Sequence, residues 1–271
     1  NNNNANTNYR LDLSGALTKI GEYAFSQIRI RYITFGDQLD TIGKGAFCEC
    51  TTYSESSSKN YINLNFPDSL RLIDDYAFSN FDYVNRVSFG EKFPKLEKIG
   101  SYAFCNCSYL YGLENRTLLI PNSVTSIGEY AFYNCDYFEK LQLSHQLREI
   151  ARYTFYNCYS IEGNITIPDV CESIGEFAFY NCYYANYLSI GRNVNKIGES
   201  AFQLCYHLRG PLIIPNWVEI IGESAFKDCP SFNYLVLGNQ ITEIGDCAFQ
   251  NCLGFNGTTG LPSTLNALGK N

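Results

Sequence analysis

One string recurs through the whole chain: I-G-x-x-A-F or a close variant, ending at Phe25, Phe47, Phe78, Phe104, Phe132, Phe155, Phe179, Phe202, Phe226 and Phe249. The intervals are 22, 31, 26, 28, 23, 24, 23, 24 and 23 residues. Self-similarity at this period is the signature of a solenoid, in which each unit buries its apolar face only by stacking on its neighbours. Ile73-Asp74 and Ile150-Ala151 keep the Ile and the following Phe but lose the Gly. Within the array the hydrophobic pair is therefore invariant and glycine is optional.

Upstream of each motif lies a short alternating segment, such as Leu141-Gln142-Leu143, Ile165-Thr166-Ile167 or Leu188-Ser189-Ile190. Period-two alternation over so few residues predicts a short strand with one buried face. Pro67, Gly90, Pro121, Pro168, Gly191, Pro215 or Gly238 follows and stops it. In the second half the turns alternate between Pro and Gly or Ser, which predicts a larger unit of two coils, 47 residues long. The I-G-E-x-A-F segment is expected to form one helical or 3-10 turn on the opposite side. Together these predict an α/β solenoid of about ten 23–24-residue coils: a parallel sheet on one face and short helical turns on the other.

The pattern Leu119-Ile120-Pro121-Asn122-Ser123-Val124-Thr125-Ser126-Ile127-Gly128-Glu129-Tyr130-Ala131-Phe132-Tyr133-Asn134-Cys135 resembles the BspA-type leucine-rich repeat of bacterial and parasitic-protist surface antigens. The likeness runs from about Leu11 to Gly269. It implies a single repeat domain over residues 9–271, cut inside an eleventh coil, after an Asn-rich segment 1–8 expected to be disordered. It also implies a cell-surface or secreted adhesin that contacts host extracellular-matrix or plasma proteins. The matching positions build the core, so the resemblance is specific for fold and weak for function.

Twelve cysteines invite a disulfide or metal reading. Eight of them, Cys50, Cys107, Cys135, Cys158, Cys182, Cys205, Cys229 and Cys252, stand three residues after the motif Phe, in a slot that otherwise holds Ile28 or Phe81. Exchange with Ile and Phe marks a small buried hydrophobe. The expectation is a ladder of free thiols, without disulfides or metal. Cys48, Cys105, Cys171 and Cys247 stay outside this row, and their redox state is left open.

No phosphate loop, nucleophile elbow, zinc-protease or dinucleotide motif occurs. His145 and His207, the only histidines, lie more than two coils apart with no nucleophile in a neighbouring row. Glu22, Glu129, Glu176, Glu199 and Glu223 form a broken acidic row, read as complementing helix dipoles. Sequons at Asn106, Asn115, Asn164 and Asn256 are no more than composition predicts by chance. The expectation is a non-enzyme without a cofactor. A net charge of −7 and a pI near 4.9 argue against nucleic acid, and no apolar run is long enough to span a membrane.

What remains is the outward sheet face. Its rows run Arg10, Tyr32, Asn63, Arg86, Thr117, Lys140, Asn164, Tyr187, Pro211, Tyr234 and Asp12, Thr34, Asn65, Ser88, Leu119, Gln142, Thr166, Ser189, Ile213, Val236. Both vary from coil to coil while the core rows repeat, which is how a solenoid encodes partner choice. Tyr32, Arg86, Leu119, Lys140, Gln142, Tyr187, Ile213, Tyr234 and Val236 are the candidate protein-binding residues. The alternative is a structural protein that stacks end to end into filaments. Tyr133, Tyr156 and Tyr180, after the motif Phe, are read as packing between coils, and the polar insert 51–60 as a projecting loop.

Overall fold

The computed structural model describes residues 10–52, 61–90, 92 and 94–270. The Asn-rich opening and all of the insert except Thr51–Thr52 lie outside the described residues. The chain is a parallel β-solenoid of about eleven coils.

The continuous ladder is built from the motif isoleucines. Lys19–Ile20, Thr41–Ile42, Leu72–Ile73, Lys98–Ile99 and Ser126–Ile127 pair as one five-stranded sheet. Glu149–Ile150, Ser173–Ile174, Lys196–Ile197, Ile220–Ile221, Glu243–Ile244 and Ala267–Leu268 form a six-stranded one. Two residues are too few for period-two alternation to mark, so this sheet is silent in the sequence. The ladder divides at Ala151, one of the two residues that replace the motif glycine. Asp74, the other, keeps its rung, with its N–H 2.9 Å from the Ile42 carbonyl, so a Cβ alone does not open the ladder.

The alternating segments form the second face as two-stranded ladders, not as one sheet. The pairs are Arg10–Leu13 with Tyr32–Phe35, Ile62–Phe66 with Val84–Phe89, Thr117–Leu119 with Lys140–Gln142, Asn164–Thr166 with Tyr187–Ser189, and Gly210–Ile213 with Phe232–Val236. From Pro67 onward, each ladder joins a Pro-terminated coil to the Gly- or Ser-terminated coil after it. The two-coil unit is thus physical: strands pair inside it and splay between units.

The expected helical turns are absent. The only helical element among the described residues is a three-residue 3-10 turn, Glu114–Arg116. The A-F segment instead carries two left-handed residues per coil, two positions either side of the motif Phe, as in Tyr130 (φ 58°) and Asn134 (φ 56°). A right-handed helix cannot pass through such positions. The turn's N–H groups reach across to the next coil: Tyr130 to Arg152 at 3.2 Å, Phe132 to Thr154 at 2.9 Å, Asn134 to Tyr156 at 2.8 Å. With no helix there is no dipole for the glutamate row to complement; Glu129 instead pairs with Arg152 of the next coil at 2.8 Å.

The core consists of stacked rows. From Phe25 to Phe249 successive motif rings lie 5.2–5.7 Å apart and within 15° of parallel. Offset stacking at this separation adds to the area term. Beside them, all eight thiols of the cysteine row donate to the Phe carbonyl of an earlier coil, as Cys158 Sγ does to Phe132 O at 3.3 Å. Cysteine therefore offers what Ile28 and Phe81 cannot, a buried donor for that oxygen. All twelve cysteines are free. Burial pushes the Cys50 and Cys252 thiols up to about 12, which keeps them protonated.

Candidate binding face

The strand register assembles the candidate residues. Tyr32 stands opposite Arg10, Arg86 opposite Asn63, Lys140 opposite Thr117 and Tyr187 opposite Asn164. Leu119 pairs with Gln142, Tyr234 with Pro211 and Val236 with Ile213. All nine are exposed, Tyr32 and Ile213 by more than half. Their strand neighbours Ile33, Val87, Leu118 and Leu212 point inward and are buried, and Leu141, Leu188 and Leu235 are partly buried against the same core, as a period of two requires.

The pairing binds these residues into local groups. Ile213 and Val236, 54% and 42% exposed, form an apolar pair beside Tyr234 at the C-terminal end of the face. Tyr187 packs under the Arg209 guanidinium, 5.2 Å from its ring centroid, and over Gly210, which fixes its orientation. Arg86 makes no ion pair among the described residues. Between two ladders, Gln142, His145, Thr166, Pro168, Asp169 and Ser189 border an open cleft of about 520 Å³. Trp217 was missed: it sits 56% exposed in the turn after Gly210–Ile213, and its signal was being the single tryptophan of the chain.

The opposite side is built from repeats rather than variation. Tyr76, Tyr102, Tyr130, Tyr153 and Phe177, two before the motif Phe, stack at 4.5–4.8 Å. Tyr133, Tyr156 and Tyr180 form a second column at 4.7 Å. Next to it runs an amide ladder: Asn106 Nδ2 donates to Asn80, Asn134 to Asn106, Asn157 to Asn134 and Asn181 to Asn157, at 2.7–3.1 Å. Asn tolerates the left-handed conformation these positions need. Asn106 is thus committed twice, and a glycan on its sequon would break the ladder. The signal for this row was Asn two residues after the motif Phe in six coils.

His145 and His207 stay apart; His207 packs against Tyr183 and Tyr184 at 5.1 and 5.2 Å. Among the described residues no group of three or more His, Cys, Asp or Glu is placed to hold a metal ion. None of their helices is long and apolar enough to cross a membrane.

No curated protein matches the sequence. Among solved structures, a leucine-rich repeat protein of T. pallidum shares 24% identity, with 68% of this chain and 78% of that one covered at a TM-score of 0.54. A leucine-rich repeat protein from Eubacterium ventriosum shares 21%, with 95% and 80% covered at 0.55. These likenesses show the fold. The family model for the BspA type leucine rich repeat region matches residues 52–114, 110–211 and 210–271 in six copies. With its core rows, its coil length and these matches in agreement, the chain belongs to the BspA-type leucine-rich repeat family.

Proposed function

We propose that the chain is a non-catalytic scaffold that binds a partner protein across the paired-strand face. One observation carries this reading: the outward positions of that face change chemistry from coil to coil, while the Phe, Ile and Cys rows beneath repeat. A frame that is constant inside and variable outside holds a broad recognition surface. The apolar and aromatic end at Tyr187, Ile213, Tyr234 and Val236 is its anchor, because such residues at the centre of a contact contribute most of the binding energy. Arg86 and Lys140 supply charge in the middle of the face.

The surface antigens that the sequence resembles support a place on the cell surface or outside the cell, with a host extracellular-matrix or plasma protein as partner. Capture from such material by the purified chain, repeated with Tyr187→Ser, Ile213→Ser and Tyr234→Ser combined, tests the reading. Capture lost with the variant supports it; unchanged capture moves the contact off this face. A second reading is end-to-end self-association of the repeat array. Sedimentation velocity separates the two, since self-association gives a mass that grows with concentration and a scaffold stays at one mass.

A further inference from the structure

The tyrosine column at the position just after the motif Phe occupies only part of the array. In three successive coils the slot holds Tyr133, Tyr156 and Tyr180, stacked on one another and leaning at 5.6–5.7 Å on Tyr130, Tyr153 and Phe177. In the three coils before them the same slot holds Cys48, Ser79 and Cys105. In two of these coils the flanking columns continue, with Tyr76 and Tyr102 on one side and Asn80 and Asn106 on the other, while the Cys48 coil has Gly45 and Glu49 in these positions. The result is a trough of about 590 Å³ with a floor of small side chains, bordered also by Tyr23, Lys44 and Glu49.

The chain shows what fits this trough, because it fills the continuation with phenol rings. Cys105, 6% exposed, stands where the next ring of the stack would lie, so the column of phenols ends at Tyr133. Stacking at about 4.5–7 Å is favourable for aromatic pairs, and the phenol hydroxyl keeps a polar end for water or an amide. We propose that this trough is a binding site for a phenol-class aromatic ring, held between the rings of Tyr76 and Tyr102 and the amides of Asn80 and Asn106. The ring arrives as a free phenolic compound or as a tyrosine side chain of another polypeptide; the chemistry is the same. The site is distinct from the paired-strand face, so its failure leaves the scaffold reading untouched.

The test fills the trough the way the chain does. Saturation-transfer NMR is run on the full chain with N-acetyltyrosinamide in one arm and acetyl-Gly-Tyr-Gly-Tyr-Gly-amide in the other, with N-acetylleucinamide as control. Transfer to the ring protons is expected for the native chain and about tenfold less for Ser79→Tyr/Cys105→Tyr. Stronger transfer to the peptide assigns the ring to a polypeptide, equal transfer to a free compound. Should the filled variant lose its melting transition, Tyr76→Ala, which removes a wall of the trough and leaves its floor, is expected to lower transfer instead, and unchanged transfer overturns the proposal. Absence of transfer in both arms, equal transfer to native and filled chains, or equal binding of the leucine amide overturns the proposal.

Discussion

Replacing Asn134 separates two contributions that the amide ladder combines. Its Nδ2 donates to Asn106 Oδ1 at 2.9 Å, its Oδ1 accepts from Asn157 Nδ2 at 3.1 Å, and its backbone sits at φ 56°. Asn134→Gly removes both hydrogen bonds and keeps the left-handed backbone free of strain. At about 0.5–1.5 kcal/mol for each bond, this costs about 1–3 kcal/mol, toward the low end because the site is half exposed. Asn134→Ala loses the same bonds but keeps a Cβ in the left-handed region, without the amide that lets Asn tolerate it, and is worse than Gly there by ~1–2 kcal/mol. The extra freedom that glycine gives the unfolded chain narrows that gap by about 0.5–1 kcal/mol. Alanine should therefore be the worse substitution by about 1 kcal/mol. Urea unfolding followed by tyrosine fluorescence and circular dichroism reads this, provided the two signals coincide, since repeat arrays can unfold in parts. Equal costs for Ala and Gly refute the backbone argument. Losses below about 0.5 kcal/mol in both refute the ladder as a stabilising device.

The thiols give two further tests. In the native chain at pH 8 iodoacetamide should modify only the half-buried Cys48 and Cys247, the other ten reacting after unfolding, while EDTA and mild reductant leave the melting curve in place. Cys50 is raised from 9.0 to about 12, so the native state holds a proton that the unfolded chain releases in between. Stability is then intact below about pH 9 and falls as pH rises toward about 12, by ~1.4 kcal/mol per thiol per pH unit; Cys50→Ala should flatten the decline in melting temperature, and an unchanged slope counts against the assignment. Phe179→Ala, in the middle of the ring stack, should cost about 3–5 kcal/mol in urea unfolding. Gly198→Ala would bring a Cβ to 2.6 Å from the Glu176 nitrogen of the preceding coil and should cost about 1–3 kcal/mol by the same measurement.

The rows were legible wherever one residue type recurs at a fixed place in the coil. Ile and Phe at invariant spacing gave the core, and cysteine exchanging with Ile28 and Phe81 gave the thiol row. The alternation of Pro with Gly or Ser anticipated the two-coil unit, although one continuous sheet was expected where paired ladders exist. The helical reading failed because an apolar pair close together in I-G-E-x-A-F fits one helical turn as well as a tight irregular one. What decides between them is backbone handedness at Tyr130 and Asn134, visible only as the Asn preference after Phe. The candidate residues share one exposed face, as strand alternation requires. The trough stayed hidden, because Cys48, Ser79 and Cys105 mean nothing until Tyr133, Tyr156 and Tyr180 are seen filling the same slot.

The central claim, that the variable paired-strand face carries partner recognition, is tested most directly by hydroxyl-radical footprinting of the chain alone and bound to a captured partner. The prediction is protection at Tyr32, Lys140, Tyr187, Ile213, Tyr234 and Val236, with Tyr130, Tyr153 and Tyr156 on the opposite side unchanged. Protection of the tyrosine columns with the strand face left reactive would contradict it.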